Sequence, residues 1–314
     1  MKQIINFLLV AIFILSAFVA CEPNAKGEAP MATNRAPLKI SRASHDKLPI
    51  ELGRLHNAAM EKFVVYCEKN DITPFKESKF SDDIYTEFAK KYVEMHLVTT
   101  EYPDYWRWQE EASKLSSESV RKVVSQLQDI IFDCDKENVV PKIEEIIKQE
   151  QGNYNTEGEL IMIESFCNLA IYSFTLWNFE WDWAMSPLIP KHLAYTANQN
   201  NEDNKESDDK EEKEDQTEMK SSDYNAKKIA FVDLMGGIGG AALGGGWSGF
   251  AVGAIVASLS EYVEETLDAV AVTIDPKDVD KESYFYSYLL DKYTKNKDAF
   301  CKMYGNKFEG IIYK

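Results

Sequence analysis

Positive charge, histidine and closely paired cysteines are all scarce in this chain of 314 residues, and each shortage removes a class of function. Lysine and arginine number 35 against 52 aspartates and glutamates, for a formal net charge of −17. A surface of that sign repels phosphate backbones and anionic headgroups, which excludes nucleic acid as a partner. The four histidines, His45, His56, His96 and His192, are scattered with no HExxH spacing, and no two cysteines have CxxC spacing. No metal site is therefore expected. The P-loop pattern is missing, and Gly246-Trp247-Ser248-Gly249 falls one position short of GxSxG. Without a catalytic constellation or a cofactor motif, the chain reads as a protein that is not an enzyme.

What is present begins with an address. Lys2 is followed by an almost wholly apolar run from Ile4 to Ala20 that ends at Cys21, the layout of a secretory signal. At about 17 residues the run is short for a membrane span. Ser16-Ala17-Phe18-Val19-Ala20-Cys21 resembles the lipobox of bacterial lipoproteins, with Phe18 where leucine is commoner. That resemblance implies a cleaved signal peptide over residues 1–20 and a lipid, such as palmitate, on Cys21. It makes a lipid bilayer the first partner and the bacterial cell envelope, outside the cytoplasm, the location. Glu22 rather than aspartate follows Cys21, which by the same resemblance points to the outer membrane. Residues 21–48 contain Pro23, Pro30 and Pro37 among small polar residues and are predicted to be a flexible tether. Cys67, Cys134, Cys167 and Cys301 remain, and they allow either two disulfides or buried thiols.

Hydrophobic periodicity beyond the tether predicts an all-α helical bundle ending in a glycine-zipper αα-hairpin. Leu52, Leu55, Ala59, Phe63 and Tyr66 set a helix over Ile50 to Asn70, and further helices are expected over Ser81 to His96 and Ser116 to Phe132. Pro141 to Gln151 reads as a short helix with proline in its first turn. Glu157 to Glu180 is apolar on all sides, which predicts a central buried helix. Together these make an α-helical domain over residues 49–196. Residues 197–224 hold 11 acids and four lysines with almost nothing apolar, as in a disordered linker. Residues 225–314 follow as the hairpin and C-terminal helices, with Tyr284 to Tyr304 as one helix returning to the core. Gly53-Arg54-Leu55-His56-Asn57 resembles a Gly-x-x-His-Asn segment of uncharacterised lipoproteins and secreted proteins of Bacteroidota-type bacteria, a likeness that carries no activity.

Leu234 to Leu259 runs 26 positions without a charge. Gly237, Ala241, Gly245, Gly249, Gly253 and Ala257 fall four apart, beside a second row of Gly236, Gly240, Gly244 and Ser248. On a helix such rows let another backbone approach closely, as in a glycine zipper. Three readings follow. A continuous helix could cross a bilayer. A hairpin turning at Gly244-Gly245-Gly246 could be buried in the protein, or could insert as some bacteriocins and pore-forming proteins do. A strand over Ile229 to Leu234 feeding Gly237-Ile238-Gly239-Gly240-Ala241-Ala242 would match GxGxxA, although no acid-ending strand follows. The glycine cost within one long helix favours the buried hairpin.

Two aromatic clusters, around Trp106 and Trp108 and around Trp181 and Trp183, mix flat rings with acids. They are candidate glycan contacts, although aromatics of this kind more often fill cores. The function expected is that of a binding or structural module of the envelope, with a protein or glycan partner. A membrane-active hairpin is the alternative, and glycan binding or hydrolysis the third.

Overall fold

The computed structural model describes residues 48–76, 80–81, 83–97, 118–150, 157–180 and 211–313. The described residues form nine α-helices: α1 Leu48–Lys69, α2 Asp83–His96, α3 Glu118–Asp133, α4 Lys136–Glu150, α5 Glu157–Thr175, α6 Glu211–Gly240, α7 Gly246–Thr273, α8 Tyr284–Lys295 and α9 Lys297–Tyr304. No strand occurs among them, and the one bridge pairs Glu309 with Tyr313. The fold is an all-α bundle with an αα-hairpin formed by α6 and α7.

The hairpin and α5 are its axis. Phe166, Ala170, Ser173 and Phe174 of α5 and Trp177 just beyond it are all buried, as are Ile229, Asp233 and Leu234 of α6 and Phe250, Ile255 and Tyr262 of α7. α1 packs on α5 and α7, α2 on α7, and α3 and α4 on α5. Residues from Leu52 to Ile312 share one hydrophobic cluster, so the chain on either side of residues 197–210 builds a common core. The helix Glu159–Glu180 is long and apolar enough to cross a membrane, yet it is the element on which α1, α4 and α6 pack.

Three elements differ from the sequence reading. α4 starts at Lys136, which places Pro141 inside the helix. The lost proline N–H is offset by the fuller apolar face: Val139, upstream of the proline, is as buried as Ile143. α6 starts at Glu211 and so takes in residues 211–224, which composition gave to the linker. Glutamate and lysine are good helix formers, and a helix fixed by packing from Ala226 onward extends upstream at low cost. The expected C-terminal helix is two, broken at Asn296, whose extended backbone (φ −154°) frees its side chain to accept from Ala299 N at 3.0 Å.

The four described cysteines, Cys67, Cys134, Cys167 and Cys301, are free thiols. Burial pushes Cys67 up to about 12 and Cys167 higher still, with Glu164 and Glu150 adding to the latter, so neither carries thiolate at neutral pH. Cys134 and Cys301 are half-buried. A maleimide applied to the folded protein at pH 7 should therefore modify Cys134 and Cys301 but reach Cys67 and Cys167 only in denaturant. Rapid native labelling of Cys167, read by peptide mass, would contradict this packing.

Candidate functional site

The glycine rows meet each other. Gly236 and Gly240 on α6 face Gly253 and Gly249 on α7, with the chain reversing through a π-helical turn, Ala241–Gly245, and Gly246 at φ +55°. A Cβ on Gly236 would lie 2.6 Å from Gly253 O, and one on Gly253 would lie 3.0 Å from Gly240 Cα. The helices thus touch main chain to main chain, which only glycine permits. Gly237 looks elsewhere: its Cβ would meet the Phe250 ring, at 2.9 Å. The four-residue row from Gly237 to Ala257 is therefore not one groove, because the chain folds back within it. Gly244 and Gly245 belong to the turn. The strand required by the GxGxxA reading is absent, since Ile229 to Leu234 lies within α6.

At the base of the hairpin, Lys228 donates to Glu261 and, at 3.3 Å, to Glu265. Burial pulls the Lys228 ammonium down, but the two carboxylates outweigh it and hold it above its usual value, while burial raises Glu265. Farther along α7, Asp268 accepts from Tyr288 at 2.7 Å, from Tyr304 at 2.9 Å and from Lys292, which fastens α8 and α9 to the hairpin. Burial, reinforced by the Asp268 charge, pushes both phenols up.

The most buried acid is Asp233, on the face of α6 that meets α5 and the His56 ring of α1. Its Oδ2 accepts from the Ser173 hydroxyl and, at 3.2 Å, from Trp177 Nε1. Trp177 sits in the π-helical turn Leu176–Glu180 that ends α5, and its ring stacks on Tyr262 of α7. His56 of α1 brings Nε2 to 3.2 Å from the same oxygen, off the line of a good hydrogen bond. The other ring nitrogen, Nδ1, faces Asn57 Oδ1 at 3.0 Å. The orientation of Asn57 is fixed, because its Nδ2 donates to Tyr172 O at 3.0 Å. Both nitrogens of His56 therefore face side-chain oxygens, Nδ1 that of Asn57 and Nε2 that of Asp233. Asp233 Oδ1 has no hydrogen-bond partner, which makes the cluster costly to bury and sensitive to the loss of any member.

The Gly53-x-x-His56-Asn57 segment thus has a structural explanation. Gly53 seats the Tyr172 ring, Asn57 holds the carbonyl of the same residue, and His56 reaches Asp233, so one turn of α1 grips both α5 and α6. A Cβ at Gly53 would lie 2.7 Å from Tyr172 Cγ. Tyr172 Cβ would lie 3.0 Å away as well, so α1 and α5 must shift slightly and the ring alone cannot relieve the contact. Gly53→Ala should accordingly cost about 1 to 2 kcal/mol, read as a lower urea midpoint. An unchanged midpoint would mean that α1 does not dock through this glycine.

Catalysis would require the His56, Asp233 and Ser173 side chains to be reachable, and each is at most 1% exposed. Ser173 donates directly to Asp233 rather than to His56, so the three side chains do not form the serine–histidine–acid relay. The elbow between α3 and α4 holds an open depression of about 460 Å³ lined by Asp133, Cys134, Glu137 and Lys227, among others. Lys227 fills part of it by donating to Cys134 O at 2.9 Å, capping the end of α3. Among the described residues no group of three or more histidines, cysteines or acids could hold a metal ion. Cys21, Trp106, Trp108, Trp181 and Trp183 lie outside the described residues.

Sequence reasoning passed over the Asp233 cluster, treating His56 as one of four scattered histidines. A signal was available: Asp233 is a lone acid among Ile229, Ala230 and Leu234 at helical spacing, and an acid on such a face requires a buried partner. No protein-family model matches the chain, and comparison with curated proteins and with solved structures finds no match.

Proposed function

We propose that this protein is a lipid-anchored, extracytoplasmic module of the bacterial cell envelope that acts by binding or by structural support rather than by catalysis. The address rests on the lipobox-like segment ending at Cys21, which would tie the chain to a bilayer, expected to be the outer membrane. The mode of action rests on one observation: the side chains best suited to chemistry, His56, Ser173 and Asp233, are spent on joining α1, α5 and α6 inside the core. The net charge of −17 directs the choice of partner away from polyanions and toward an envelope protein or a neutral glycan. In bacteria fed labelled palmitate, the wild-type chain should take up label and Cys21→Ser should not. Equal labelling of the two would refute the anchor.

A second reading, in which the hairpin acts on membranes, draws on the uncharged stretch from Leu234 to Leu259 and on Leu243, which is 85% exposed at the turn. Against it, the glycines face one another, and Trp247, Phe250 and Ile255 are buried in the core. The tethered-module reading expects no dye release when the chain beginning after Cys21 is added to phosphatidylcholine vesicles. Release that depends on residue 243 would put the membrane-active reading first.

A further inference from the structure

We draw no further inference here: the strongest candidate, the outward face of the α6–α7 hairpin around Met235, Gly239 and the exposed Leu243, is apolar and partly open, but nothing in the structure shows what covers it.

Discussion

Alanine at Gly240 is expected to cost about 3 kcal/mol or more, whereas alanine one residue earlier, at Gly239, is expected to stabilise the protein by up to about 1 kcal/mol. The two sites differ only in what a methyl group would meet. At Gly240 a Cβ would press into the carbonyl of Gly249, 2.9 Å from its carbon and 3.0 Å from Gly253 Cα. All of these are main-chain atoms, so relief requires the whole of α7 to move away. That movement would loosen Phe250 from Phe166, whose rings stack at 5.6 Å, and would spread to the base of the hairpin. At Gly239 a Cβ would meet nothing within 4 Å, and the gain is the usual advantage of alanine over glycine in a helix. Urea unfolding followed by helical circular dichroism tests the pair. Similar midpoints for the two variants would mean that the glycine rows are not in main-chain contact.

The hairpin's close approach is legible in the sequence, and its register is not. Charge absence and the four-residue glycine spacing announced that a helix backbone would be approached closely, and both are visible in the chain itself. Which rows face each other was not visible, because it depends on where the chain turns. A turn at Gly244 to Gly246 pairs Gly240 with Gly249 and Gly236 with Gly253, leaving Gly237 to face a ring. Periodicity alone treats the segment as continuous and cannot supply that register.

The same distinction holds across the bundle. On α3 the periodicity of Val120, Val123, Val124, Leu127, Ile130 and Ile131 predicts one apolar face, of which Val120, Val123, Leu127 and Ile131 are buried while Val124 and Ile130 are only half-buried. On α1 the buried face is turned slightly from the one expected: His56, Met60 and Cys67 are inside, while Leu55 and Tyr66 are only half-buried. His56 is not legible as an inner-face residue, because its partner lies 177 positions away, on a helix whose packing no local pattern specifies. The Asn296 break was missed for a related reason. Tyr293 and Phe300 keep helical spacing through it, and they still meet, with ring centroids 5.5 Å apart, although the backbone between them leaves the helix.

Replacing Asp233 with leucine should cost about 3 to 5 kcal/mol, while replacing His56 and Asp233 together with leucine should cost clearly less than the two single changes added. The reasoning follows the cluster's connectivity. Asp233→Leu removes the carboxylate that accepts from the Ser173 hydroxyl and Trp177 N–H and that faces the buried His56 ring, and each buried polar group that loses it carries a desolvation cost. His56→Leu leaves Asp233 held by Ser173 and Trp177 but without the facing ring. In the double variant no charge faces an empty site, and leucines fill a region already lined by apolar neighbours such as Phe174 and Ile229. A coupling of about 2 kcal/mol is expected from a chemical-denaturation cycle. Strict additivity would show that His56 and Asp233 do not interact. The cycle also bears on function, since a core lock predicts that each variant loses stability while any partner still binds the refolded fraction with unchanged affinity. Loss of partner binding at full stability would instead place His56 and Asp233 in the recognition surface, reached through an opening of α1.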